Sequence, residues 1–208
     1  MTVELSDVDA WVREFAAVVA AHRDELTELD SPIGDADHGV NLDRGLTAAL
    51  SGLDATPPAD AAALLKAVAM AMISKVGGTS GPLFGTFFLR LSGAFGDGSP
   101  AAFAAAFRAG VEGVVARGKA EAGDKTMLDA LLPAADALDE AVGAGKPLAE
   151  ALQAAADAAA AGRDATTPMT ARKGRASYLG ERSVGHQDPG ATSAAMLVQA
   201  AATALGRS

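Results

Sequence analysis

The chain has 208 residues, of which 50% are hydrophobic, so it is long enough and apolar enough to form a buried core. Its 17 basic and 26 acidic side chains give a formal net charge of −9, which argues against a broad basic surface for nucleic acid. Cysteine is absent, which excludes disulfides and thiolate chemistry and leaves oxygen and imidazole groups as metal ligands.

The N-terminal residues do not have the character of a targeting signal. Glu4 and Asp7 lie where a signal peptide would carry basic residues. No uncharged apolar stretch approaches the roughly 20 residues needed to cross a bilayer. We therefore expect a cytoplasmic protein that has no membrane partner.

The composition favours helices over strands, because alanine is abundant and aromatic residues make up only 4% of the chain. Apolar residues recur at steps of three and four in segments that glycine and proline separate. Residues 83–95 are rich in phenylalanine and would also suit a strand, but their length and the preceding Ser-Gly-Pro favour a buried helix. In chain order, the predicted helices are residues 6–29, a run through Leu42, Leu46 and Leu50 that stops at Gly52, and residues 59–75, 83–95, 99–118, 125–142, 147–161 and 189–205.

Two segments depart from this pattern. Pro133 is expected to kink or split the helix of residues 125–142. Residues 166–188 lose the periodicity, and an irregular stretch of about 20 residues within a compact domain is either functional or disordered. The sequence as a whole predicts one all-α domain over residues 1–208, with about eight helices and antiparallel neighbours.

The first unusual loop comprises residues 29–41 and is called the acidic turn. Asp30, Asp35 and Asp37 cannot share one face of a straight helix, but a turn containing proline and glycine can bring them together. Converging carboxylates repel each other unless a cation neutralises them, and oxygen ligands select Mg²⁺, Ca²⁺ or Mn²⁺. The alternative is a solvated helix end, a turn residue and a helix N-cap, and the spacing alone does not decide between the two.

His38 and Asn41 follow the acidic residues into the start of the next helix. A histidine beside three carboxylates is either a hydrogen-bonded capping group or a contact to the phosphate or ribose of a ligand. The sequence leaves both roles open.

The second loop, residues 76–82, is called the glycine loop. Gly77 and Gly78 allow a close approach of the backbone, and the following helix N-terminus presents free N–H groups to an anion. Thr79 and Ser80 add hydroxyl donors, so the loop suits a phosphate. In isolation the same residues also fit an ordinary corner between two helices.

The third loop, residues 171–191, is called the basic loop. It concentrates positive charge in an otherwise acidic chain, through Arg172, Lys173, Arg175 and Arg182. Guanidinium groups bind phosphate in a bidentate manner. A solvated basic loop would explain the charges but not the glycines of the segment, so we favour a loop that covers a ligand.

Four motifs occur in a fixed order along the chain: Gly34-Asp35-Ala36-Asp37-His38-Gly39, Gly77-Gly78-Thr79-Ser80-Gly81-Pro82-Leu83, Gly123-Asp124-Lys125-Thr126-Met127-Leu128-Asp129, and Gly174-Arg175-Ala176-Ser177-Tyr178-Leu179-Gly180 with Asp188-Pro189-Gly190-Ala191. In this order they resemble the nucleotide-binding subunits of dihydroxyacetone kinases. One departure is Ala36, where many members have glycine. If that position requires a positive φ, alanine strains the turn by about 1 kcal/mol.

The resemblance implies an antiparallel eight-helix barrel with nucleotide-binding loops at one end. It also implies that Asp30, Asp35 and Asp37 bind two Mg²⁺ ions that bridge the diphosphate of ADP or ATP. The residues that it places around the nucleotide are His38, Gly39, Asn41, Thr79, Ser80, Gly118, Met127, Arg175, Asp188 and Gly190. We infer in addition that Arg175 is catalytic and stabilises the charge of the transferred phosphoryl group.

The resemblance further implies a phosphotransferase in which bound ADP accepts a phosphoryl group from a phosphohistidine donor protein. The group then passes to dihydroxyacetone on a partner subunit. The sequence contains no substrate domain, which favours this phosphoenolpyruvate-linked form over an ATP-using one. The alternatives are a subunit of a related ATP-dependent triose, tetrose or fatty-acid kinase, and a non-catalytic regulator that binds Mg-ADP. The sequence does not determine which ketose is used or whether the chain forms a homodimer.

Overall fold

The computed structural model describes residues 2–206, and most of these residues are helical. Within this range there are nine α-helices, one 3-10 helix and no β-strand, so the predicted all-α class is confirmed. In chain order they are α1 Leu5–Ala21, α2 Arg23–Asp30, α3 His38–Ala55, α4 Ala61–Lys75, α5 Ser80–Ala94, α6 Pro100–Gly118, α7 Leu128–Gly143, α8 Leu148–Ala165, the 3-10 helix Arg175–Ser183 and α9 Pro189–Leu205.

Contacts between the helices run in a closed ring. From α3 to α9, each α-helix packs on the next one in the chain, α9 packs on α1, and α1 returns to α3. The short helix α2 lies against α3. This order of contacts does not conflict with the eight-helix barrel that the resemblance implied, if α2 is counted as an addition.

The hydrophobic core fills the ring, and its largest side chains are aromatic. The Trp11 ring lies against Phe88 and Phe103, with centroid distances of 6.0 and 5.9 Å. The indole N–H of Trp11 donates to the carbonyl of Leu197 at 3.0 Å. Because a buried indole needs a partner for its N–H, this bond fixes α1 against α9.

The prediction of a single helix over residues 6–29 is wrong, because the segment forms two helices, α1 and α2. The chain leaves helical geometry at His22, with φ −108° and ψ 16°, between α1 and α2. The break lets α2 pack on α3, where Gly39 approaches the carbonyl of Arg23 so closely that a Cβ would clash. Tertiary packing between α2 and α3 therefore explains the break. The sequence has neither glycine nor proline at this point.

The helix predicted over residues 125–142 starts at Leu128, and Pro133 lies inside a continuous helix α7. Proline has no N–H, so the carbonyl of Asp129 lacks its usual donor in the next turn. That carbonyl lies against Gly162 of α8, where any side chain would clash. The glycine thus accommodates the proline, and the expected split does not occur.

The boundaries of the other helices differ from the predicted ones by a few residues. The phenylalanine-rich segment is the helix α5, as predicted, and it starts at Ser80. The segment of residues 166–188 is not wholly irregular, because it contains the 3-10 helix, interrupted at Gly180 by φ 57° and ψ −128°. Among the helices of residues 2–206, none combines the length and the apolar character that crossing a membrane requires.

Candidate functional site

A cavity of about 230 Å³ lies at one end of the ring. Its lining includes the first residues of α3, α5, α7 and α9 and the last residue of α6. The volume is several times the roughly 30 Å³ of a water molecule, so there is room for an organic group. Helix N-termini carry partial positive charge, so four of them around one cavity favour an anion.

The acidic turn brings its three carboxylates to the rim of this cavity. Asp30, Asp35 and Asp37 each offer an oxygen, and the three oxygens lie within 4.8 Å of one another. Carboxylates at this separation repel each other unless a cation neutralises them, and an all-oxygen ligand set suits a hard divalent ion. The three residues therefore fit Mg²⁺.

Asp30 is not the solvated helix end of the alternative interpretation, because it is buried with 8% of its surface exposed. Its Oδ2 accepts the backbone N–H groups of Asp37 at 3.0 Å and His38 at 3.3 Å. Gly34 lies over the same carboxylate, and a Cβ there would clash with Oδ1. The carboxylate of Asp30 thus holds the acidic turn against the start of α3.

Ala36 adopts the left-handed conformation, with φ 57°. Alanine is expected from the sequence to strain the turn if position 36 requires a positive φ. The structure shows that the position does. A non-glycine residue in this region costs on the order of 1 kcal/mol. The turn keeps its carboxylates together in spite of that strain.

His38 is a buried side chain whose ring is hydrogen-bonded across the cavity end of the fold. The hydroxyl of Ser193 donates to the carbonyl of Gly190 at 3.1 Å, and it has only one proton to give. Nε2 of His38 lies 2.9 Å from the same hydroxyl, with which it shares a hydrogen bond. Burial lowers the pKa of His38 below its usual value, which outweighs the opposing effect of Asp30 and Asp37. A lowered pKa favours the neutral form of the ring, in which one nitrogen donates and the other accepts.

The glycine loop leads directly into α5. Gly78 has a φ of 66°, which favours glycine, and Thr79 and Ser80 after it line the cavity. Arg44 of α3 stabilises the end of α4, just before the loop, by donating to the carbonyl of Lys75 at 3.0 Å. The loop therefore presents hydroxyl groups and the N-terminus of α5 to the cavity, as the phosphate interpretation requires.

The basic loop lies over the acidic turn. Arg175 Nη2 is 2.9 Å from Asp35 Oδ2. Ile33 of the acidic turn packs with Ala171 and Ala176 of the basic loop in a small apolar cluster, separate from the main core. The contacts support a loop that covers the cavity rather than one that is solvated on all sides.

Asp188 also lines the cavity, at the N-terminus of α9. Its Oδ2 accepts the N–H of Ala191 at 2.7 Å, and its own N–H donates to Oγ1 of Thr166 at 3.0 Å. Burial raises the pKa of this carboxyl from 3.8 to about 7. Next to it, the Cα of Gly190 faces Met127, whose side chain forms part of the apolar lining.

Comparison with known proteins agrees with this geometry, since residues 32–203 match the DAK2 domain. The chain belongs to the DAK2 domain family. It is 42% identical over 207 residues to the ADP-binding subunit DhaL of the PEP-dependent dihydroxyacetone kinase of Escherichia coli, covering 98% of this chain and 99% of that subunit. It is also 42% identical over 192 residues to the ADP-binding subunit DhaL of PEP-dependent dihydroxyacetone kinase 1 of Listeria innocua, covering 91% of each.

Longer proteins share the same DAK2 domain. The chain is 38% identical to an L-erythrulose 1-kinase of Mycolicibacterium smegmatis, over 36% of that protein. The crystal structure of the dihydroxyacetone kinase from C. freundii in complex with AMP-PNP and Mg²⁺ matches with a TM-score of 0.76 and 27% identity. That match covers 98% of this chain but 34% of the C. freundii chain, so this chain spans about a third of that kinase.

In this DAK2 domain, most of the residues predicted for the site line the cavity. Gly39 and Asn41 are not among the lining residues. Gly39 faces α2, and Asn41 lies against Gly77 and accepts a hydrogen bond from Arg44 at 2.8 Å. The lining residues that were predicted are Asp30, Asp35, Asp37, His38, Thr79, Ser80, Gly118, Met127, Arg175, Asp188 and Gly190.

Sequence reasoning missed two buried polar residues of this DAK2 domain. Asp129 accepts the N–H groups of Gly123 at 2.6 Å and Thr126 at 2.7 Å, and so shapes the loop before α7. Lys125 of the same loop is buried and lines the cavity. Both belong to the motif of residues 123–129. The predicted helix began at Lys125, whereas α7 begins at Leu128, so the loop before α7 and its contacts were not expected.

Proposed function

We propose that this protein is the Mg-ADP-binding subunit of a dihydroxyacetone kinase. It transfers a phosphoryl group, through bound ADP and ATP, from a phosphohistidine donor protein to dihydroxyacetone held on a partner subunit. The observation that carries the proposal is the meeting of three carboxylates with four helix N-termini at one cavity. Carboxylates attract Mg²⁺ and helix N-termini attract phosphate, so the two together suit a metal-bound diphosphate.

The relatives support the separate-subunit form of this activity. The DhaL proteins of Escherichia coli and Listeria innocua are ADP-binding subunits, and the match extends over nearly their whole length. The erythrulose kinase relative is a much longer protein, of which this chain spans about a third. We therefore place the donor protein and the ketose-binding site on other chains.

Different residues of the cavity bind the metal ions and the phosphates of the nucleotide. Asp30, Asp35 and Asp37 are proposed to hold two Mg²⁺ ions, which neutralise phosphate charge when bound. The first turn of α5, with Thr79 and Ser80, donates to phosphate oxygens. The cavity positions the nucleotide, and no covalent nucleophile is required, because phosphoryl transfer depends mainly on alignment and charge stabilisation.

Further contacts fix the nucleoside and the transferred group. The imidazole of His38 forms a hydrogen bond with a hydroxyl of the nucleoside, and Met127 packs on the base. Arg175 leaves Asp35 and pairs with the phosphoryl group as it transfers. The single-domain organisation over residues 1–208, the cytoplasmic location and the question of a homodimer stay predictions.

The test has two stages, nucleotide retention and phosphoryl transfer. Native mass spectrometry of the purified protein should show ADP that is released by EDTA. The protein is then combined with its partner subunit, phosphoenolpyruvate and the donor proteins, and the phosphorylation of dihydroxyacetone is followed. Transfer that requires the phosphohistidine donor supports the proposal.

The other outcomes identify the alternatives. Transfer with ATP alone indicates an ATP-dependent kinase, and erythrulose as the better acceptor indicates a tetrose kinase. Phosphorylation of a fatty acid bound to a carrier protein indicates a fatty-acid kinase. ADP retention without transfer to any of these acceptors contradicts the proposal and indicates a regulator that binds Mg-ADP.

A further inference from the structure

Lys125 is the one buried lysine among the six of the chain, all of which lie in the described residues. Only 1% of its surface is exposed, whereas the other five lysines are exposed. Its backbone also adopts the left-handed conformation, with φ 63°. A buried ammonium and a left-handed non-glycine residue both cost free energy, so the contacts of this side chain must offset two penalties.

The ammonium of Lys125 donates to two backbone carbonyls that lie far apart in the chain. Nζ is 3.0 Å from the oxygen of Met169 and 2.5 Å from the oxygen of Ser183. Met169 comes just before the basic loop, and Ser183 ends the 3-10 helix. The lysine therefore holds both ends of the stretch that carries Arg175 over the acidic turn.

Other bonds of the basic loop depend on the same arrangement. The hydroxyl of Ser183 accepts the N–H of Ala171 at 2.9 Å, and the N–H of Gly185 donates to the carbonyl of Thr167 at 2.8 Å. These bonds join residues 167–171, which precede the 3-10 helix, to residues 183–185 at its end. With Lys125 they form the base of the loop, opposite the tip at which Arg175 meets Asp35.

Lys125 and Asp188 both line the cavity, and each affects the pKa of the other. Burial raises the pKa of Asp188, and the ammonium of Lys125 acts in the opposite direction. Burial lowers the pKa of Lys125, and Asp188 in turn raises it. Each group thus favours the charged form of the other in the wall of the cavity, and removal of one leaves the other without this compensation.

We propose that Lys125 is a positioning residue for the nucleotide: its ammonium clamps the base of the basic loop, so that Arg175 is held over the acidic turn. The inference rests on the proposed function, because it assigns the clamp to that nucleotide site. Lys125 acts through the loop and does not itself touch the phosphates.

The absence of cysteine allows a direct test, because Lys125→Cys introduces the sole thiol of the chain. The unfolded variant is alkylated with 2-bromoethylamine, which restores an ammonium at the length of lysine, or with 1-iodopropane, which gives a neutral chain of similar length, and is then refolded. Lys119→Cys, treated identically, is the matched control, since Lys119 also has a left-handed backbone, with φ 49°, but is exposed.

The first measurement is amide hydrogen exchange in the nucleotide-free protein. In the propyl form of the Lys125 variant, the amides of Ala171 and Gly185 should exchange about tenfold faster or more, while amides of the helical core are unchanged. The aminoethyl form should restore slow exchange. Equal exchange in the two forms at position 125 overturns the clamp.

The second measurement is the affinity for ADP in the presence of Mg²⁺. The propyl form at position 125 should lose about tenfold or more, the aminoethyl form should stay within about threefold of the unmodified protein, and both forms at position 119 should bind normally. Because a neutral chain of the same length fills the same space, a purely steric role predicts equal affinities at position 125. That result would overturn the proposal.

A third measurement covers the case in which the propyl form does not refold. Side-chain ¹⁵N spectra of the unmodified, nucleotide-free protein should show one lysine ammonium with slow proton exchange, and Asp188→Asn should shift it. If all six ammonium groups exchange rapidly, the proposal is wrong. Loop exchange and ammonium spectra require no nucleotide, so they test the clamp even if the unmodified protein fails to bind ADP, which would contradict the proposed function instead.

Discussion

The Arg175 guanidinium and the Asp35 carboxylate form an ion pair, with Nη2 2.9 Å from Oδ2, that joins the basic loop to the acidic turn. Both side chains are partly in solvent, with 66% of Arg175 and 36% of Asp35 exposed. Exposed ion pairs contribute between zero and about 1 kcal/mol, so this one is easily exchanged. The arginine is therefore already at the rim of the cavity, from which the proposed function requires it to move to a phosphate.

The first prediction concerns that arginine. Arg175→Ala should lower kcat by about a hundredfold or more while ADP affinity falls less than about tenfold, because the guanidinium acts mainly on charge that develops during transfer. Steady-state kinetics with the partner proteins and calorimetry with ADP give the two numbers. Arg172→Ala, an exposed arginine of the same loop, is the control. Equal losses of kcat and affinity would show that Arg175 is an ordinary binding contact.

The second prediction concerns the acidic turn. Asp35→Asn combined with Asp37→Asn should abolish Mg²⁺-dependent ADP retention, with an affinity loss of about a hundredfold or more, because two metal ligands lose their charge. In EDTA the double variant should be at least as stable as the unmodified protein, since repulsion among the three carboxylates is relieved. Calorimetry with Mg-ADP and thermal unfolding in EDTA measure the two effects.

Glu28→Gln is the matched control for that double variant, because Glu28 is an exposed carboxylate of α2 outside the cavity lining. It should leave ADP retention unchanged. ADP that still copurifies with the double aspartate variant at the normal level would contradict the metal site.

Much of the fold was predictable because it depends on local pattern. The start of α9 follows from Asp188 and Pro189, and that of α6 from Ser99 and Pro100, which are an N-cap and a first-turn proline in both helices. The break at His22 was not predictable, because it serves packing between α2 and α3. The same is true of Pro133, whose place in a continuous helix depends on a glycine in α8.

The candidate site was predictable where a chemical group is unusual for its position. Three clustered aspartates and a basic segment in an acidic chain stand out without any structure. Lys125 did not stand out, because a lysine at a helix start normally extends into solvent. Only the structure shows its ammonium bonded to carbonyls 44 and 58 residues further along the chain. Long-range contacts of this kind have no local sequence signal.

The third prediction tests the strain at Ala36. Ala36→Gly should raise the free energy of unfolding by up to about 1 kcal/mol, because glycine adopts φ 57° without the clash of a Cβ. Ala10→Gly, in the exposed middle of α1, should lower it by about 1 kcal/mol. Denaturant unfolding in EDTA measures both. A loss of stability at position 36 as large as that at position 10 would show that the turn carries no such strain.

The fourth prediction concerns Asp188, whose burial raises its pKa from 3.8 to about 7. A carboxyl with a raised pKa in the folded state contributes stability at low pH and loses that contribution as the pH rises through the folded-state value. The difference between 3.8 and about 7 corresponds to roughly 4 kcal/mol. Asp188→Asn keeps an oxygen for the Ala191 N–H, so it removes the titration and not the helix cap.

Asp188→Asn should therefore match the unmodified protein near pH 4 and become the more stable of the two, by a few kcal/mol, as the pH rises to 8. Denaturant unfolding in EDTA across this range gives the difference. Asp60→Asn is the matched control, because Asp60 also caps a helix, accepting the N–H of Ala63 at 2.7 Å, but is exposed. It controls for replacing a capping carboxylate by an amide at an exposed helix start. A flat difference for Asp188→Asn would mean that the ammonium of Lys125 and the N-terminus of α9 keep this carboxylate ionised despite its burial.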